Sequence, residues 1–93
     1  MKAKRFASVW DAIENSPAEA ENMKLRAKLM SAIIDYIDRE GLSQAQAAKL
    51  MAVTQPRISD LMRGRIDLFS LDTLVDMAAA GGLRPRITVK RAA

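Results

Sequence analysis

The chain of 93 residues contains no cysteine and no histidine. The first absence excludes a disulfide framework and a thiolate metal site, and the second removes the commonest metal ligand and general base. No paired-carboxylate or nucleophile–base constellation replaces them, so neither an enzyme nor a cofactor is expected. Gly81-Gly82 is too short for a phosphate-cradling loop. The N-terminal MKAKRFASVW is basic but has no apolar run after it, which fits neither a signal peptide nor a membrane span. A cytoplasmic protein without membrane association is therefore expected. The length suits one small domain with a modest core.

Net charge is +4, from 15 basic and 11 acidic side chains. Met1 to Leu83 carries 11 of each and is neutral; the excess lies on Arg84, Arg86, Lys90 and Arg91. Within the neutral body, Lys49, Arg57, Arg63 and Arg65 are opposed only by Asp60 between positions 49 and 65. A basic patch of this kind suffices for phosphate contact.

The stretch from Leu42 to Gly64, LSQAQAAKLMAVTQPRISDLMRG, reads as two short helices across a tight turn. Ser43 with Gln46 forms a capping box that starts a helix at Gln44. Thr54 or Gln55 caps the next helix, Pro56 falls in its first turn, and Gly64 supplies the left-handed residue that ends it. Ile58 and Leu61 face inward, and rotation by about 100° per residue puts Gln55, Pro56, Ser59, Asp60 and Arg63 on the opposite face. Ala47 and Ala48 are small enough for close helix crossing, while Met51 and Val53 fill the crook. The bland alternative is an ordinary helical hairpin with a wet polar face.

These residues resemble the Cro/repressor-type (XRE) helix-turn-helix family. The matching marks are Ser43-Gln44, Ala48, Val53, Thr54-Gln55, Ile58, Leu61 and Gly64. The resemblance implies an all-α fold whose second helix enters the major groove of double-stranded DNA with its N-terminal residues. By position it makes Gln55, Pro56, Ser59 and Asp60 base-facing, and Gln44, Thr54, Arg57, Arg63 and Arg65 phosphate contacts. Ala52 stands where the family usually has glycine, and a left-handed alanine costs on the order of 1 kcal/mol. Asp60 would repel phosphate unless it accepts from a cytosine amino group or pairs with Arg57 or Arg63.

Elsewhere, residues 1–15 form an extension with a short amphipathic turn or helix bearing Phe6, Val9, Trp10 and Ile13. Trp10 either staples this segment to the core or meets a partner. Residues 16–83 form the helix-turn-helix domain. Ser16-Pro17-Ala18-Glu19 starts a long helix that stops at Gly41. Met23, Ala27, Met30, Ile34 and Ile37 make one apolar stripe; Leu25, Leu29, Ile33 and Tyr36 make a second. Together they cover roughly 200°, about twice what one core contact needs. The second stripe is covered either by Trp10 and Phe6 or by a second copy or partner protein. After Gly64, Leu68 and Phe69 anchor a loop, and Ser70 caps a helix carrying Leu71, Leu74, Val75 and Met77 inward.

Residues 84–93 form a basic tail in which Arg86, Thr88 and Lys90 alternate with Ile87 and Val89, a strand pattern. One strand cannot stand alone, and no other stretch reads as a strand, which favours pairing across a homodimer. The whole order of elements resembles short XRE-type antitoxins of HigA kind. That resemblance implies a dimer that binds a palindromic operator, represses its own operon and neutralises a RelE/HigB-like ribonuclease toxin. XRE regulators without a toxin, and a protein adaptor that binds no DNA, are the rival readings. The tail is too short for a ligand-sensing domain, so no small-molecule ligand is expected.

Overall fold

The computed structural model describes residues 16–91. The readings placed on Phe6, Val9, Trp10 and Ile13 lie outside them. Four α-helices follow in order: α1 (Pro17–Arg39), α2 (Gln44–Met51), α3 (Gln55–Met62) and α4 (Leu71–Ala80), with a 3-10 turn at Ile66–Leu68 between α3 and α4. Each α-helix starts at a hydroxyl side chain that accepts from a first-turn backbone N–H. Ser16 accepts from Glu19, Ser43 from Gln46, Thr54 from Arg57 and Ser70 from Thr73. These contacts satisfy donors that have no partner within the helix. Thr54 is thus the cap of α3, and Gln55 is its first residue.

The helices also end alike. The N–H one or two residues past the C-cap donates to a carbonyl in the last turn: Leu42 to Ile37, Val53 to Ala48, Arg65 to Asp60 and Leu83 to Ala78. This closure needs a left-handed residue just before that donor. Gly41 (φ 63°) serves α1 and Gly64 (φ 73°) serves α3, whereas α2 uses Ala52 at φ 60°, ψ 41°. Leu42, Val53 and Leu83, carried just beyond these turns, pack half-buried against the core. The helix stops therefore also seal the domain.

Ala52 is exposed, so nothing but its own backbone geometry constrains the side chain. Ala52→Gly should remove most of the left-handed penalty and stabilise the fold by about 1 kcal/mol. In a domain of this size that raises Tm by about 4–8 °C. Thermal unfolding followed by circular dichroism checks it; an unchanged or lowered Tm would show that the turn is not strained.

The core gathers Met30, Ile33 and Ile37 of α1, Ala47, Ala48 and Met51 of α2, Ile58 and Leu61 of α3, then Phe69, and Leu74, Met77 and Ala78 of α4. Three expectations are corrected here. The buried line of α1 crosses both expected stripes. Ile33 is fully buried, so it belongs to the core and not to a spare surface, while Met23 is 42% exposed. An apolar arc of about 200° cannot by itself say which part touches the domain. Leu25 remains half-exposed, while Leu29 and Tyr36 are half-buried against the core. On α4, Leu71 and Val75 are only half-buried, and Ala78 takes the inward position. Of the two expected loop anchors only Phe69 is buried, and Leu68 is 38% exposed.

In the single chain the tail departs from its strand pattern. Among the described residues there is no β-strand, and 84–91 runs without regular structure. Arg86, Ile87, Thr88, Val89 and Lys90 are all exposed. A period-two pattern forms a strand only where another edge offers hydrogen bonds, and within this chain α1 and α4 offer none.

Candidate nucleic-acid interface

The two central helices are fixed locally before they meet. Ser43 Oγ accepts from the Gln46 N–H at 3.1 Å while Gln46 Oε1 accepts from the Ser43 N–H at 2.8 Å, completing the capping box. Gln44 follows as the first, exposed residue of α2. The turn through Ala52 and Val53 then reverses the chain. Thr54 Oγ1 accepts from the Arg57 N–H at 3.3 Å, and Pro56 has no N–H to leave unpaired in this first turn.

Burial of Ile58 and Leu61 sets the rotation of α3. Gln55, Pro56 and Arg63 are consequently exposed, and Ser59 and Asp60 are half-buried at the edge of that outward face. Thr54, at the N-terminal end, is exposed too. The free ends of α2 and α3 both present the partial positive charge of a helix N-terminus beside uncharged hydrogen-bonding side chains. This arrangement can accept phosphate at the ends and hydrogen-bond to an edge of the bases from Gln55.

The charged candidates divide. Arg63 Nη2 pairs with Asp60 Oδ1 at 3.1 Å, which supplies the neutralising partner that Asp60 needs. Arg65 Nε lies 3.8 Å from Asp67 Oδ1 with both side chains at least half exposed, a contact that water and salt weaken. Lys49 is exposed on α2. Arg57 is different. Its Nη1 donates to the Leu68 carbonyl at 3.0 Å, and its guanidinium lies 4.6 Å from the centroid of the Phe69 ring. Arg57 therefore ties α3 to the loop that follows, and a phosphate would have to compete with that tie.

The same loop is held from α1. Arg26 Nη1 donates to the Phe69 carbonyl at 3.4 Å, and Arg26 Nε donates to Asn22 Oδ1 at 2.6 Å. Sequence reading missed the roles of Arg26 and Arg57 because both partners are backbone carbonyls, which leave no mark in the sequence. The only signal was Phe69, the one aromatic side chain in that connection.

Two short helices across a tight turn, with the second packed by its Ile58–Leu61 side and presenting its start to solvent, define a helix-turn-helix module. Residues 12–90 match the family model for a helix-turn-helix domain. A solved structure described as an XRE-family transcriptional regulator is similar at 30% identity, over 80% of this chain and 83% of that one, with a TM-score of 0.71. Among curated proteins no relative matches. The chain belongs to the XRE family of helix-turn-helix transcriptional regulators, whose members bind DNA and are not enzymes. No helix among the described residues is long and apolar enough to cross a membrane, and no group of residues there could hold a metal ion.

Proposed function

We propose that the chain is a sequence-specific repressor that binds a palindromic operator as a homodimer, with α3 in the major groove. The observation that carries this is the burial of Ile58 and Leu61, which leaves Gln55 and Pro56 free at the start of α3. Gln55, Pro56, Ser59 and Asp60 face the bases. Gln44, Thr54, Arg63 and Arg65 grip phosphate, while Arg57 does so only after releasing the Leu68 carbonyl, and otherwise acts by positioning α3. The test is a titration of the protein against the DNA upstream of its own gene and against scrambled duplex. Tight binding confined to the upstream DNA, at two half-sites about one helical turn apart, supports the reading. Equal binding to both duplexes contradicts it.

The dimer forms through residues 86–90, paired antiparallel with the same residues of a second copy. The exposure of Ile87 and Val89, at 56% and 89%, supports this because pairing would cover apolar side chains that the single chain leaves in water. Removing residues 84–93 should then convert a dimer to a monomer in sedimentation equilibrium; a truncated protein that remains dimeric places the contact elsewhere.

The repressor is also the antitoxin of a type II pair, autoregulating its operon and neutralising a RelE/HigB-like ribonuclease. Its support is the order of elements. Co-expression with the product of the neighbouring reading frame tests it. A stable complex that abolishes ribonuclease activity is the expected outcome, and a neighbour that neither binds nor cleaves RNA leaves a regulator without a toxin.

A further inference from the structure

An open groove of about 340 Å³ lies on the side of the domain formed by α1, α4 and the start of the tail. Its apolar floor comes from Leu25, Leu29 and Ala32 of α1 and Leu71 and Val75 of α4. Leu25, Leu29, Leu71 and Val75 are each left half-exposed by it. Lys28, Arg84 and Arg86 stand among its lining residues, so its charge is wholly basic. Half-covered leucines at a helix–helix seam leave apolar surface in water that a further side chain could remove.

We infer that this groove seats the chain's own N-terminal segment, with Trp10 as the side chain that enters it. This reading stands apart from DNA recognition and does not depend on it. Reach is the first support. Leu25 is nine residues into the chain from the cap Ser16, about 14 Å along the α1 axis. Trp10 precedes Ser16 by six residues, which span at most about 20 Å when extended, so a chain folding back along α1 brings Trp10 level with Leu25. Phe6, ten residues before Ser16, reaches at most about 33 Å and can arrive at Ala32.

Charge is the second support. The only charges from Trp10 to Glu14 are Asp11 and Glu14, which face a rim that carries only Lys28, Arg84 and Arg86, while Lys2, Lys4 and Arg5 lie upstream of Phe6. A second copy docked groove to groove, a contact different from the pairing of residues 86–90, would bring this basic rim against its own equivalent, because a two-fold contact pairs identical patches. Like charges set opposite each other oppose that occupant. An apolar segment with interspersed acids is what the groove selects, and Trp10-Asp11-Ala12-Ile13-Glu14 is the stretch tethered within reach.

Trp10 is the sole tryptophan, so its fluorescence reports the groove without labelling. In the full chain its emission should be blue-shifted and shielded from acrylamide, and this should not change on dilution. Val75→Glu places a carboxylate on the floor; it should shift the emission to that of exposed tryptophan and raise acrylamide quenching several-fold, with the helical circular dichroism retained. Nuclear Overhauser contacts from the Trp10 indole to the methyl groups of Leu25 and Val75 in the unmodified protein decide the matter even where Val75→Glu does not fold. Exposed emission in the unmodified protein, or absence of those contacts, overturns the inference. So does shielding that survives Val75→Glu, which would seat Trp10 elsewhere, or shielding lost on dilution, which would assign the groove to a second copy.

Discussion

Phe69→Ala is expected to cost about 3–5 kcal/mol, the range for truncating a buried aromatic side chain. Against a total stability of about 5–15 kcal/mol for a domain, that is a large share, and a substantial fraction of the protein should be unfolded at moderate temperature. Phe69 is 1% exposed and sits where three restraints meet. Its ring is buried in the core cluster that also holds Ile58, Leu61 and Leu74, its face receives Arg57, and its carbonyl accepts from Arg26. The neighbouring Leu68, although apolar, is 38% exposed, so Leu68→Ala should stay within about 0.5 kcal/mol. Phe69→Leu separates the two contributions: it keeps most of the volume but removes the face beneath Arg57. Its cost should be under about 1.5 kcal/mol if packing dominates. Urea unfolding of the three variants checks this, and a Leu68→Ala loss as large as that of Phe69→Ala would contradict the burial on which the interface rests.

The largest effect on binding is expected from Gln55→Ala. Gln55 is the first residue of α3 and exposed, and a glutamine there can make a bidentate pair with adenine. Its loss should cost about 1–3 kcal/mol on the operator and little on random duplex, so specificity relaxes. Arg65 gives the contrasting failure. It lies beyond Gly64, and its contact with Asp67 is long and exposed enough to be exchanged for a phosphate at little cost. Arg65→Ala should weaken operator and random DNA alike and lower the salt slope by about one unit. Titrations of both variants on both duplexes at two salt concentrations separate the roles. Equal losses from Gln55→Ala on both duplexes would remove α3 as the base reader.

What sequence reading could reach was local. Ser16, Ser43, Thr54 and Ser70 start the four helices because each hydroxyl meets an N–H only three residues on, a distance the sequence itself displays. The glycine stops were legible for the same reason, while the left-handed Ala52 followed only from the family resemblance. The inward turn of Ile58 and Leu61 followed from helical spacing, and it positions Gln55. Choices that depend on a distant element were not legible. Ile33 and Leu25 are equally apolar, and only the packing of α4 and α3 against α1 decides which is buried. Arg57 and Arg63 look alike in sequence, yet one binds the Leu68 carbonyl and the other Asp60. Alternation in 86–90 suggested a strand, but the pairing edge that a strand requires is not part of α1 to α4.

The most direct measurement of how this domain meets DNA is a map of backbone amide shifts as the operator duplex is added to isotope-labelled protein. The predicted result is large perturbation from Thr54 to Ser59 and at Gln44, a smaller salt-sensitive change at Arg65, and little change along Met30 to Ile37, which the core covers. Perturbations confined to α4 or to residues 84–91, with Gln55 and Gln44 unmoved, would contradict it.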